Sequence, residues 1–196
     1  VPREMLTWAI ALNFRISSFS SEKFVEKSEN IFDASKKALI LTSSSSYTSV
    51  ILSSGIEPNE ISSRKTGLKG SPKLVTVGTL SERKGQDNII AKLPALVSKY
   101  PNIHYHMIGI PLELESLEKL ATSLAVSDYV TFHGVLATRE MLSIVSACDI
   151  FVMLSNKTDL GDVEGFGIAL LEANYLGIPT IGAKHCGIED AIDNFK

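Results

Sequence analysis

From residue 73 onward the chain alternates short apolar runs of strand length with segments whose apolar residues have helical spacing. Strands joined by helices of about ten residues need right-handed crossovers, so they lie parallel in one sheet with helices on both faces. Pro94 is expected to kink the first helix or to begin it anew. The pattern predicts an α/β fold, a doubly wound parallel sheet that binds ligands beyond the carboxyl ends of its strands. The predicted strands cover residues 74–77, 103–108, 129–132, 149–154 and 179–182, and the predicted helices lie around residues 89–97, 114–124, 141–145 and 168–176.

The part of the chain before residue 73 has a less regular pattern. Residues 1–21 fit a strand or a helix equally well, and residues 22–55 favour a helix, a buried strand and a short serine-capped helix in that order. Residues 57–72 are polar and contain Pro58 and Gly67. This last segment is therefore the best candidate for a domain boundary.

The composition is that of an ordinary globular chain: 44% of its 196 residues are hydrophobic and 21% are charged. The net charge is −3 and the basic residues are scattered, so we expect no nucleic-acid partner. Cys148 and Cys186 have no metal or redox spacing, which favours reduced cysteines in a cytoplasmic protein. No apolar run is long enough to span a membrane and the first residues do not resemble a signal peptide. Peripheral contact with the inner face of a membrane is left open.

The stretch from Glu164 to Glu172 places one carboxylate on each side of a glycine-bracketed helix start. Unpaired N–H groups at a helix start bind phosphate, aided by the positive end of the helix dipole. We expect a diphosphate there, with Glu164 accepting hydrogen bonds from sugar hydroxyls and Glu172 binding a ribose diol. For an isolated pair, a helix-start acid and a solvated helix acid would be the favoured explanation. Glycine at both 165 and 167, where one would suffice, favours a ligand site.

A second loop, from Gly78 to Gly85, follows the first predicted strand and holds two adjacent cations. Arg83 can chelate phosphate oxygens in a planar fork, and Lys84 can act as a point charge. Alone, this loop would be interpreted as a solvated surface turn. Because it should lie at the same sheet edge as Glu164, we interpret both loops as parts of one site.

Two further turns follow predicted strands. The turn at Gly109 could lie along a base or sugar face, although turn chemistry explains it equally well. The turn from His133 to Val135 could present backbone groups to a nucleobase, although a lone histidine is more often partly buried and hydrogen-bonded.

The sequence gives little support for a metal site. His104 and His106 fall on one face of a strand but have no third ligand in sight. Asp159 and Asp162 do not form the Asp-x-Asp motif that holds a cation under a diphosphate. We therefore expect no metal and no cofactor, with charge neutralisation by cationic side chains and the helix start.

Together these segments resemble the large family of retaining, nucleotide-sugar-dependent glycosyltransferases of the GT-B fold, the glycosyl transferases group 1. The similarity covers about residues 73 to 193, which correspond to the donor-binding C-terminal domain. Each segment is weak evidence alone, but the ordered set is highly specific. It consists of residues 78–85, 101–109, 130–134, 147–152, 164–173 and 177–179.

The resemblance implies a role for each matching position. Lys84 would contact the donor diphosphate, Glu164 the hydroxyls of the transferred sugar and Glu172 the ribose, while Val135 would lie at the base and the backbone of residues 166–169 at the phosphates. The catalytic candidates are Glu164, Lys84 and Arg83, and the donor-binding candidates are Gly78, Thr79, Arg83, Lys84, Gly109, His133, Val135, Glu164, Gly165, Phe166, Gly167, Ile168, Ala169 and Glu172.

The sequence departs from the family pattern in places. Thr79 stands where the family usually has an arginine, so that phosphate contact is missing or is taken over by Arg83. Cys186, between His185 and Gly187, replaces one glycine of a pair near the acceptor side. The loop at residues 60–72 also lacks the expected Asn-Gly turn.

The resemblance also implies a domain organisation. Residues 1–62 would be a remnant of the acceptor-side Rossmann-like domain, residues 63–72 a linker, and residues 73–196 a truncated nucleotide-sugar-binding domain. We expect either a fragment or a chain with residues missing from its numbering.

The implied function is transfer of a sugar from a UDP, GDP or ADP sugar to an unknown glycan, lipid or small-molecule acceptor, with retention of anomeric configuration. The alternatives are a non-catalytic nucleotide-sugar-binding module and a nucleotide-sugar epimerase of GT-B architecture. We expect the chain to carry mainly the donor-binding half and to be inactive alone.

Overall fold

The computed structural model describes residues 65–156, 161, 164–165, 167–183, 186 and 188. The predictions for residues 1–62 lie outside the described residues. So do those for Phe166, Asp159, Asp162 and His185.

The described residues form a five-stranded sheet in which every paired neighbour is parallel. The strand order is β3-β2-β1-β4-β5. The predicted α/β class is confirmed, and each predicted strand is found within a residue or two of its expected ends. The strands are β1 (Lys73–Val77), β2 (His104–Ile108), β3 (Val130–Phe132), β4 (Ile150–Met153) and β5 (Thr180–Gly182).

Helices connect the successive strands. They are α1 (Gln86–Lys99), α2 (Leu114–Ser123), α3 (Thr138–Ser146) and α4 (Ile168–Tyr175), and 3-10 turns cover Glu82–Lys84 and Ser127–Tyr129. Of the two alternatives expected at Pro94, a new helix start is wrong, because α1 continues through this residue. Pro94 removes one backbone donor, but Ile89, Ile90, Leu93 and Leu96 remain buried along the helix. Burial of that face outweighs one lost hydrogen bond.

Alternation along the strands builds a separate core on each face of the sheet. One core packs α1 and α2 against side chains that include Leu74, Tyr105 and Val152. The other packs α3 and α4 against the opposite face, including Val75 and Phe151. Helices on both faces make the sheet doubly wound, as predicted.

The strand order reverses at β1, which pairs with β2 on one side and with β4 on the other. Connections from β1 and β4 therefore leave the sheet in opposite directions and open a crevice at their carboxyl ends. Ligands of open α/β sheets bind at such a reversal. The loops that follow β1 and β4 are the two that the sequence singles out.

His106, whose ring lies against those of His104 and His133, links the segment before β1 to the sheet. His106 Nε2 lies 3.0 Å from the carbonyl oxygen of Lys69, and its Nδ1 lies 3.0 Å from His133 Nε2. A carbonyl only accepts, so His106 Nε2 carries the proton and His106 Nδ1 accepts from His133. His104 Nε2 lies 2.7 Å from Thr131 Oγ1. The ring nitrogens of His106 are therefore committed to structural hydrogen bonds.

These histidines predict loss of stability in acid. Burial lowers the pKa of His104 to about 4 from 6.5, and it also lowers the pKa of His106 and His133. Because the unfolded chain binds more protons, the stabilisation is full above pH 6.5 and falls as the pH drops toward the folded pKa. When the pH falls from about 7.5 to about 5, His104 alone should lower the free energy of unfolding by about 2 kcal/mol. Urea denaturation at the two pH values measures this change.

The control is His104→Asn, which keeps a polar side chain at this position and removes the titration. Its unfolding free energy should fall by less than that of the unaltered chain over the same pH interval. An equal fall in both proteins would contradict the prediction.

Candidate functional site

A buried glutamine holds one side of the loop after β1. Gln86, which is fully buried at the start of α1, accepts from the N–H of Ser81 and donates Nε2 to the Thr79 carbonyl oxygen at 3.0 Å. From the other side, Glu113 Oε2 accepts from the N–H of Glu82 at 3.0 Å. Both ends of the Gln86 amide are thus used to shape the loop that presents the cations. Sequence reasoning missed this residue, because a glutamine at a helix start gives no motif.

The loop after β4 is tied to the same structure by Asn156. Its backbone N–H donates to the Arg83 carbonyl oxygen at 2.9 Å, and its Nδ2 donates to the carbonyl oxygen of Glu82 at 3.2 Å. Its Oδ1 accepts from Asn88 Nδ2 at 3.0 Å. Asn156 therefore joins the two predicted site loops through their backbones, a role that no spacing pattern in the sequence indicated.

The side chains of Arg83, Lys84 and Glu164 converge above this junction. Lys84 Nζ lies 2.7 Å from Glu164 Oε2, and Arg83 Nη1 contacts the same oxygen. The side chain of Glu164 is only 9% exposed, against 12% for Lys84 and 29% for Arg83. The structure thus brings together the three residues predicted from two separate loops.

Lys84 reaches Glu164 by passing over Gly78. A side chain at 78 would place Cβ only 3.1 Å from Lys84 Cε. Behind it, the Gly78 carbonyl oxygen packs against Gly109, whose own Cβ would overlap that oxygen. Gly78 and Gly109 thus have packing reasons in the fold, and Thr79 contributes its carbonyl oxygen to the Gln86 contact.

The turn into α4 contains two glycines, Gly165 and Gly167, whose environments differ. Gly167 is the N-terminal cap of α4 and adopts the left-handed conformation, with φ of 70° and ψ of 54°. The carbonyl oxygen of Gly167 accepts from the N–H of Leu170 at 2.8 Å, but Gly167 has no side chain that could accept from the N–H groups of Ile168 and Ala169, with which α4 begins. Gly165 is exposed, and no atom of the described residues lies within 4 Å of where its Cβ would be. Of these two glycines, Gly167 is the one whose positive φ favours glycine.

Glu172 lies one turn further along α4 and is half-buried. Burial raises the pKa of its carboxyl group. A partly desolvated carboxylate gains more from hydrogen-bond donors than an exposed one, because water competes less for it. This environment suits the predicted contact with a diol.

In the turn after β3, one predicted residue is hydrogen-bonded within the fold and another is exposed to solvent. The N–H of His133 donates to the Met107 carbonyl oxygen, and its ring contacts His106. Val135 is 68% exposed, and Ile110 and Leu112 after β2 are exposed as well. The His133 ring is therefore engaged in the fold, whereas Val135 is accessible at the rim.

The described part of the chain contains no group of three or more His, Cys, Asp or Glu side chains placed to hold a metal ion. None of its helices combines the length and apolarity needed to cross a membrane. Cys148 is buried, which raises the pKa of its thiol to about 12, and Cys186 is partly buried.

Comparison with known proteins identifies the family of this chain. The family model described as glycosyl transferases group 1 matches residues 58–196. The chain belongs to this family. Among curated members, a GDP-mannose-dependent alpha-(1-6)-phosphatidylinositol monomannoside mannosyltransferase of Mycobacterium tuberculosis is 35% identical over 126 residues, which are 64% of this chain and 33% of that protein. The putative colanic acid biosynthesis glycosyltransferase WcaL of Escherichia coli is 27% identical over 72% of this chain and 35% of its own length.

Solved structures of known proteins share the fold. WaaG, a glycosyltransferase involved in lipopolysaccharide biosynthesis, matches with a TM-score of 0.51 and 26% identity over 76% of this chain and 35% of its own. HepE of Anabaena, solved with UDP and glucose, matches with a TM-score of 0.52 and 21% identity over 71% of this chain and 37% of its own. The chain spans about a third of the length of the curated relatives that it matches.

Proposed function

We propose that this chain carries the donor-binding half of a glycosyltransferase that moves a sugar from a nucleotide-diphosphate sugar to an acceptor with retention of anomeric configuration. The observation that carries the proposal is the convergence of Lys84 and Arg83 on Glu164, which precedes the start of α4 in the chain. Cations and a helix start without a side-chain cap suit a diphosphate, and a buried carboxylate suits sugar hydroxyls.

In this proposal, each group acts where charge develops. As the bond from the sugar to the diphosphate breaks, negative charge grows on the leaving phosphate oxygens. Lys84, Arg83 and the N–H groups at the start of α4 stabilise that charge, without a metal in their place. Glu164 orients the sugar, and Glu172 binds the ribose. Preorganised charges are effective here because Lys84 and Glu164 lie largely out of water.

The names of the relatives indicate which base and which sugar to test first. Four curated mannosyltransferases that the chain resembles are named as GDP-mannose-dependent. GDP-mannose is therefore the first donor to test, with UDP and ADP sugars beside it. The acceptor is a glycan, a lipid or a small molecule.

Titration of the chain with UDP, GDP and ADP tests donor binding. We expect saturable binding of one of the three, and a loss of about tenfold or more in affinity for Glu172→Ala, because a carboxylate that binds both hydroxyls of a diol makes two charge-assisted hydrogen bonds. Isothermal calorimetry gives the affinity directly.

The matched control is Glu118→Ala, which removes an exposed helical carboxylate on α2. It should bind the same nucleotide as the unaltered chain does. Absence of binding by all three nucleotides would overturn the proposal.

A further inference from the structure

We propose that Glu164 is an internal competitor for diphosphate, and that it thereby selects the sugar-bearing donor over the free nucleoside diphosphate. The inference rests on the proposed function. It assigns to Glu164 a second role, distinct from contact with the sugar. In the absence of donor, the Glu164 carboxylate occupies the phosphate position on Arg83 and Lys84. When the donor binds, the carboxylate accepts hydrogen bonds from the sugar instead.

The first support is the geometry of one oxygen atom. Glu164 Oε2 accepts both from Lys84 Nζ, at 2.7 Å, and from Arg83 Nη1. Two cationic donors on a single anionic oxygen is the arrangement that a phosphate oxygen would make with the same pair. The carboxylate and a diphosphate oxygen therefore need the same place, and they repel each other.

The second support is burial. Glu164 as a residue is 7% exposed, and the Lys84 side chain is 12% exposed. A buried charge that loses its partner is strongly destabilised, so neither Lys84 nor Glu164 can separate without a replacement partner. An incoming diphosphate replaces Glu164 on the cations but deprives the Glu164 carboxylate of these two donors.

The attached sugar resolves this imbalance. Its hydroxyl groups donate to the displaced carboxylate, so a nucleotide sugar satisfies both the cations and Glu164. A free nucleoside diphosphate satisfies only the cations. The exchange therefore favours the donor before transfer, and after transfer it favours return of Glu164 to Lys84 and release of the nucleoside diphosphate.

The test compares two variants in which glutamine replaces a glutamate, so that both have the same change in net charge. Glu164→Gln keeps the side-chain shape and removes the competing charge. Glu140→Gln removes a carboxylate that pairs instead with Lys65 at 3.2 Å. The affinities of the full chain and both variants for inorganic pyrophosphate, and for UDP, GDP and ADP, are measured by calorimetry, with folding checked by circular dichroism.

We expect Glu164→Gln to bind pyrophosphate and the preferred nucleoside diphosphate at least about tenfold more tightly than the unaltered chain, because the buried cations lose their internal partner. Glu140→Gln should stay within about twofold of the unaltered chain, because exposed charges contribute little. For the nucleotide sugar the gain should be smaller, since Glu164→Gln also loses the contact with the sugar. Unchanged or weaker pyrophosphate binding by Glu164→Gln would overturn the inference.

The outcomes separate this inference from the proposed function. Tighter pyrophosphate binding without any nucleotide binding would support the competition and overturn the donor-binding proposal. Nucleotide binding that is equal in the unaltered chain and in Glu164→Gln would do the reverse. If Glu164→Gln does not fold, a structure of the unaltered chain with pyrophosphate decides: the inference requires Glu164 to leave Lys84, and a retained contact beside the bound anion overturns it.

Discussion

Replacing Lys84 by methionine is expected to weaken the binding of nucleoside diphosphates by about 100-fold, the largest effect of any single charge in the site. Methionine keeps most of the side-chain length that passes over Gly78 but removes the charge. A charge-assisted hydrogen bond from a desolvated ammonium group contributes about 1.5–3 kcal/mol, and about 1.4 kcal/mol corresponds to a tenfold change in affinity. Calorimetric titration of the folded variant with UDP, GDP and ADP measures the effect.

Two comparisons identify the source of the loss. Arg83→Met should weaken binding less than Lys84→Met, because Arg83 is 29% exposed and water screens its charge more. Lys119→Met removes an exposed lysine that pairs with Glu115, so its affinity should match that of the unaltered chain. Lys84→Met with unaltered affinity would show that the cationic loop does not bind the diphosphate.

Replacing Gly85 by alanine is expected to destabilise the protein by about 2–5 kcal/mol or to prevent folding. Gly85 has a φ of 69°, which an alanine adopts only at a cost of about 1–2 kcal/mol. Its Cβ would also overlap the carbonyl oxygen of Leu154, a backbone atom that cannot move aside without shifting the end of β4. Overpacking of this kind adds about 1–3 kcal/mol. Urea denaturation gives the change in unfolding free energy.

Gly134→Ala is the matched control. Gly134 has the same φ of 69°, but among the residues that the structure describes no neighbouring atom lies within 4 Å of where its Cβ would be. The free energy of unfolding of this variant should therefore fall only by the cost of the left-handed backbone conformation, about 1–2 kcal/mol. Equal losses at both positions would mean that Gly85 is required for its backbone conformation alone and not for the close approach of the two site loops.

The candidate site was partly predictable from sequence because its charged residues lie in short segments with strong local patterns. Arg83 and Lys84 follow one apolar strand, and Glu164 follows another. Parallel strands end at a common edge, so that pattern predicts their proximity. Gln86 and Asn156 could not be found in this way. Their amides act on backbone groups of other segments, and such contacts leave no periodicity in the chain.

Other predicted positions have roles that the sequence did not separate. The patterns around Gly109 and His133 fit both a turn and a ligand contact. Gly109 packs against the Gly78 carbonyl oxygen, and the His133 ring joins His106 in a hydrogen bond. The two histidines of β2 form part of a buried cluster with His133. Whether a polar side chain faces a ligand or the interior depends on the neighbouring strands.

The sequence by itself determined the α/β class, the parallel direction of the strands and the pair of loops that carry the charged residues. Those features follow from hydrophobic periodicity and from the length of each connection, which are local properties of the chain. Only the tertiary structure decided that Glu164 shares one oxygen between Arg83 and Lys84. That contact depends on the order of β1 and β4 in the sheet and on burial, and both arise only when distant segments pack together.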